Sequence, residues 1–201
     1  MKNQQRSGDS GPQQPAVDIG ALCSRHFAWR DLLHCGETWQ RLAQQGGGPS
    51  LNLPKQLETW RGLQELARRL LDPLVDRFGP VQLTYGFAGP ELTRHIGGRI
   101  APKLDQHAGS ELDRNGMAIC ARAGQAVDLL VPGTASDQVA TWIRAELPFD
   151  RLYFYGADRP LHLSFGPQHK RQVVAMVRGA SGRLVPRLCK PWAHLSGGDA
   201  S

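Results

Sequence analysis

Three residues in the middle of the chain have side chains that bind metal ions. They are His107 in a polar loop, Asp128 within the apolar run Ala126-Val-Asp-Leu-Leu-Val131, and His162 within Leu161-His-Leu-Ser-Phe165. Two imidazole nitrogens and a carboxylate oxygen make a three-ligand set that leaves a fourth position on zinc open for water. The same residues also have ordinary readings: a surface loop histidine, a strand carboxylate met by arginine or backbone amides, and a strand histidine donating to a carbonyl. Asp128 is the hardest to treat as incidental, because a carboxylate on a buried strand is costly without a partner. A metal, an arginine and backbone amides all qualify as that partner.

These residues need elements to hold them. From about Pro54 to Phe78, Leu57, Trp60, Leu63, Ala67, Leu70, Leu71, Leu74 and Phe78 recur at three- and four-residue spacing, which predicts a long amphipathic helix. Pro73 should kink it or start a new turn, and Gly79-Pro80 stops it. An earlier apolar patch, Phe27, Trp29, Leu32, Leu33 and Trp39, is expected to fold back onto that helix. Val81 to Tyr85 alternates as a strand does, Gly86 and Gly89-Pro90 turn the chain, and a short helix follows to His95. Residues 97–124 show little periodicity and are rich in His, Asp, Glu, Arg and Gly, as functional loops are. The run 126–131 predicts a buried strand, and 137–146 a helix capped by Ser136 or Asp137. Two strands, 151–155 and 161–165, are joined by Gly156-Ala-Asp-Arg-Pro160 as a hairpin, while 168–178 reads equally as helix or strand.

The 201 residues, 40% hydrophobic and 21% charged, suit one globular domain. Its expected extent is 19–195, between a disordered leader (1–18) and a disordered tail (196–201), with an α+β fold. A formal charge of +6 suits an acidic partner such as nucleic acid, an anionic membrane surface or an acidic wall polymer. The basic residues are scattered, however, so a merely solvated basic surface explains them too. Cys23, Cys35, Cys120 and Cys189 form no C-x-x-C pair and fit reduced thiols in a cytoplasmic setting. The Gln/Ser/Gly/Pro-rich start has no signal-peptide core, and no later run has the length of a membrane span.

Several segments carry a family likeness in their order and spacing: Phe27-Ala-Trp-Arg-Asp-Leu-Leu33, the helix end Leu70-Leu-Asp-Pro-Leu-Val-Asp-Arg-Phe-Gly-Pro80, Leu83-Thr-Tyr-Gly-Phe-Ala-Gly-Pro-Glu-Leu92, Gly124-Gln-Ala-Val-Asp128 and Leu161-His-Leu-Ser164. Together they resemble the zinc D-alanyl-D-alanine carboxypeptidases and D-alanyl dipeptidases, which share a fold with the hedgehog signalling domain. The resemblance runs from about Phe27 to Phe165. It implies a small antiparallel sheet flanked by helices, a zinc ion, and hydrolysis of a small peptide or amide, with peptidoglycan peptides as the family's substrates.

Carried over by motif, the resemblance makes Asp128 and His162 ligands. The family's first histidine falls by offset on Ala121, and Asp105-Gln-His107 looks like its Ser-x-His half displaced by an insertion of roughly 108–122. His107 is therefore the expected first ligand, with Cys120 as a soft-ligand rival. Two catalytic positions depart from the pattern. Ala88 stands where the family has its oxyanion-stabilising arginine, and Arg159 where it has its general base. Asp158 and Glu111 are the candidate replacement bases, and Arg99, Arg114 or Arg122 the candidate replacement cations. Tyr85, Arg99, Arg122 and Ser164 are expected on the substrate side. A different class of function fits the same departures: a non-catalytic module on the peptidase fold that binds a protein or nucleic acid.

Overall fold

The computed structural model describes residues 17–34, 36–47, 49–97 and 102–189. Arg99, the expected tail and almost all of the expected leader lie outside them. The architecture is mixed α/β, one six-stranded sheet flanked by helices. No helix among the described residues is long and apolar enough to cross a membrane.

Two short helices, α1 (Trp29–Leu32) and α2 (Gly36–Leu42), precede α3 (Leu57–Leu66), which continues through a π-helical turn (Ala67–Leu71) into α4 (Asp72–Phe78). The long periodic run is thus one helical path, and the expected break at Pro73 takes a particular form. Proline has no N–H to give and its ring crowds the carbonyl four residues back. The chain widens by one residue just upstream, with Asp72 N–H bonding to Ala67 O, and Pro73 then falls in the first turn of α4. Leu63, Leu66, Leu70 and Leu74 are fully buried, each contributing about 1.5–3 kcal/mol of transfer free energy. The first apolar patch does fold back: Trp29 meets Trp60 edge-on at 5.0 Å, and Leu32 and Leu33 join the same core.

The strands are β1 (Gln82–Tyr85), β2 (Gln125–Leu130), β3 (Arg151–Phe154), β4 (Leu161–Phe165), β5 (Gln172–Arg178) and β6 (Leu184–Leu188), in the order β1-β2-β4-β3-β5-β6. Between β1 and β2 lies α5 (Pro90–Thr93), and between β2 and β3 lies α6 (Ser136–Glu146). The expected hairpin is the β3–β4 pair, and the ambiguous 168–178 segment resolves as a strand. The expectation of a purely antiparallel sheet is corrected, because β5 runs parallel to β3 while every other pair is antiparallel. The cap of α6 is corrected as well. Ala135 holds the cap position without a side-chain bond, and Ser136 Oγ donates instead to Arg159 O at 2.7 Å.

Alternation gives the sheet two faces. Val127, Leu129, Leu152, Phe154, Leu161 and Leu163 join the helices in the core. Asp128, Tyr153 and His162 occupy the opposite face, where the 102–124 loop brings Gln106 and His107 against it.

Candidate metal centre

Asp128 on β2 and His162 on β4 are direct partners in the antiparallel register, and His162 is in turn opposite Tyr153 on β3. On the other side β1 carries a bulge. Leu83 pairs with Leu129, but Tyr85 rather than Thr84 stands opposite Asp128. Strict alternation would have sent Tyr85 to the core face with Leu83, and the extra residue brings it to the face of Asp128. One row therefore crosses four strands: Tyr85, Asp128, His162, Tyr153.

His107 comes from a one-turn 3-10 segment (Gln106–Ala108) and is held from several directions. Asp105 Oδ1 accepts its backbone N–H at 3.0 Å, and its own carbonyl accepts from Ala88 N at 2.9 Å. Ring atom Nδ1 lies 2.9 Å from Gly86 O. A carbonyl only accepts, so Nδ1 carries the proton and Nε2 is the nitrogen left to face the sheet. The Gly86 carbonyl is itself fixed. Gly86 N donates to His34 O at 2.7 Å, Phe87 N to Leu32 O at 2.8 Å, and the buried Asn52 side chain bonds Phe87 O and Gly89 N. A side chain at position 86 would collide with the carbonyl oxygens of Leu32 and His34, so this close passage requires glycine.

Three atoms converge as a result. His107 Nε2 is 3.1 Å from His162 Nδ1 and 3.3 Å from Asp128 Oδ1, and His162 Nδ1 is 2.9 Å from Asp128 Oδ1. Donors about 2.0–2.1 Å from a tetrahedral ion are about 3.3 Å apart, so the triangle has the size that zinc demands. Among the described residues, this is the group of three side chains able to hold a metal ion. Exposure rises across it, from 6% for the His107 side chain through 14% for His162 to 31% for Asp128, which leaves an open side next to the carboxylate.

The electrostatics agree with the geometry. Burial works against charge on His107, but the Asp128 carboxylate outweighs it and holds the imidazole above its usual range. Burial likewise penalises the Asp128 carboxylate, and His107 and His162 outweigh that penalty, keeping its carboxyl well below the usual range. Three lone-pair atoms this close need positive charge among them, either protons or an ion. Of the partners expected for Asp128, neither an arginine nor a backbone amide bonds it among the described residues; two imidazoles do, and they leave room for a metal to join them.

Other expected site residues fall elsewhere. Glu111 is buried and fully used: its carboxylate accepts Lys55 N at 3.0 Å, Gln56 N at 3.1 Å and Thr59 Oγ1 at 2.8 Å, capping the start of α3. A carboxylate so engaged is a structural cap, which corrects its assignment as a base. Ser164 is also withdrawn from substrate, its Oγ spent on the backbone of Arg151. Cys120 is buried outside the cluster, and burial pushes its thiol up, away from the thiolate a metal needs. Ala88 is fully buried and supplies no charge. Asp158 is exposed in the turn between β3 and β4, with no hydrogen bond to the cluster among the described residues.

Two expected residues do reach the centre. Tyr85 packs edge-on against His107 at 4.6 Å. Arg122 donates through Nη1 to Tyr153 Oη at 3.2 Å, and Tyr153 meets His162 edge-on at 5.1 Å. Sequence reasoning missed Tyr153 as a neighbour of the centre; alternation along β3 is the signal that puts it on the face of His162.

Beside these features, comparison with known proteins yields no match: no family model, no curated protein and no solved structure is significantly similar to the chain.

Proposed function

We propose that this chain is a zinc-binding domain of the D-alanyl-D-alanine carboxypeptidase type, divergent in its catalytic residues, with His107, Asp128 and His162 as ligands. The observation that carries this reading is the triangle of three donor atoms 2.9–3.3 Å apart, with the outer nitrogen of His107 fixed as a donor to Gly86 O. Metal-binding histidines characteristically donate their second N–H to such a carbonyl, which sets the tautomer. The ion, when bound, would supply Lewis acidity toward a carbonyl oxygen and lower the pKa of water. The chain's own residues orient the rest: Tyr85 and Tyr153 wall the centre on either side, and Asp158 on the adjoining turn remains the candidate proton acceptor. The activity that follows is hydrolysis of a small peptide or amide.

A second reading, a non-hydrolytic binding module for a protein or nucleic acid, is favoured by one specific observation. One of the two candidate bases, Glu111, is committed as a helix cap, and Ala88, where the family's arginine would stand, is a fully buried methyl.

Elemental analysis of protein purified without chelator, for the wild type and for His107→Ala, Asp128→Ala and His162→Ala, tests the centre and identifies the metal. Near-stoichiometric zinc that is lost in all three variants is the expected result, and folded wild type without metal would refute it. Assay of the loaded protein on D-alanyl-D-alanine and a panel of small peptides and amides then separates the two readings. Turnover abolished by Asp158→Asn supports the hydrolase, and stoichiometric metal without turnover supports the module.

A further inference from the structure

The 109–122 segment closes on Arg122, whose side chain returns toward the metal centre. Nη1 of Arg122 donates both to Leu104 O at 3.1 Å and to Tyr153 Oη at 3.2 Å. Among the described residues, Nε and Nη2 have no hydrogen-bond partner. The guanidinium is therefore anchored by one nitrogen and presents the rest of its fork.

Tyr153 is positioned as firmly. It stands directly opposite His162 in the sheet and its ring meets that imidazole edge-on at 5.1 Å. Because arginine can only donate, Tyr153 uses its oxygen as the acceptor in that bond. Its hydroxyl hydrogen stays available to another acceptor. Two donors, one of them cationic, thus stand together at one flank of the cluster.

Charge indicates what they would meet. Among the described residues the acidic groups acting on His107 are Asp128 and Asp105, the latter already accepting the backbone N–H of His107. A divalent ion together with Arg122 outweighs these two carboxylates and leaves a net positive site with an open side. We propose that the Arg122 guanidinium and the Tyr153 hydroxyl form an oxyanion subsite beside the His107, Asp128 and His162 centre, recognising a carboxylate or phosphate group on its ligand. This inference rests on the centre holding an ion.

The test uses the full chain loaded with cobalt(II), whose visible absorption reports on the centre. Acetate and inorganic phosphate are titrated in parallel into the wild type, Arg122→Met, Arg122→Lys and Tyr153→Phe, each at full cobalt occupancy and verified as folded by circular dichroism. Saturable binding of one anion to the wild type is expected. Arg122→Met should weaken it about tenfold or more, as loss of a charge-assisted hydrogen bond does. Arg122→Lys should recover part of that loss, since it keeps the charge without the fork. Tyr153→Phe, which removes one oxygen and keeps the ring, should weaken it severalfold. The anion bound more tightly identifies the ligand as carboxylate or phosphate. Equal affinities in all four cobalt-loaded proteins would overturn the subsite and leave the metal centre standing. Failure of the wild type to take up cobalt would overturn both.

Discussion

Two buried polar clusters share one face of the sheet, and they are balanced differently. Around Asp150 the charges are matched internally: its carboxylate meets Arg151 Nη1, Gln106 Nε2 at 3.0 Å and Lys170 N at 2.8 Å, while Arg151 reaches Gln168 Oε1 at 2.7 Å. Among the described residues the Asp128 carboxylate bonds no guanidinium; its partners are two imidazoles, whose charge depends on protons. A cluster that brings its own permanent cation is complete on folding. One that relies on titratable groups is open to exchange those protons for an ion. The pair separates what holds the sheet from what the sheet can do, although Gln106 and His107 are adjacent in sequence.

The largest expected effect breaks the first cluster. Asp150→Ala leaves Arg151 buried without its partner and should cost about 3–5 kcal/mol in chemical denaturation, with or without metal. Asp128→Asn should cost the metal-free protein only about 1 kcal/mol, because Asn still offers a hydrogen-bond acceptor to a histidine. A comparable loss for both would erase the distinction.

Metal should then sharpen it. Free zinc at about a hundredfold over its Kd stabilises the wild type by about 2.7 kcal/mol and should leave Asp128→Asn unmoved in the same thermal melts. Gly86→Ala tests the link between backbone and ligand. By displacing the carbonyl that sets the His107 tautomer, it should weaken zinc about 10- to 100-fold in competition titrations, as loss of such outer contacts does.

The smallest effect is a titration. Burial, and then the Asp128 charge, push the Tyr155 phenol up to about 12. A nearby anion raises an acid's pKa, so Asp128→Asn should lower it. Asp150→Asn should have no such effect. NMR of ring-labelled tyrosine across alkaline pH would register both.

The sequence disclosed these elements unevenly, for physical reasons. Helical spacing from Leu57 to Phe78 survives the interruption at Pro73 because the π-helical turn keeps Leu70, Leu71 and Leu74 turned inward. β6 gave no signal because all five of its residues are exposed, leaving no alternation to detect. Its neighbour β5 was ambiguous because Val173, Val174 and Ala175 are buried consecutively, a pattern that does not separate strand from helix. His107, Asp128 and His162 were legible as residue types able to hold a metal ion, two of them on expected strands and His107 in a polar loop. The cap formed by Glu111 was not, because its acceptors' partners begin 56 residues away at Lys55, where no local rule reaches. Nor was the row through Tyr85, which depends on a bulge that a period-two pattern cannot foretell.

That row also governs how the protein can evolve. Asp128 and His162 face each other only in one register, so a single residue gained or lost within β2 ahead of Asp128, or within β4 beyond His162, would break the pairing that brings the two side chains together. The 109–122 segment is under no such rule. It is tied by the Leu112 to Ala118 bridge and by Ala121 N to Lys103 O. Length variation in descendants of this chain should therefore accumulate at its exposed tip, residues 113–117, while the strands that carry the ligands stay fixed in count.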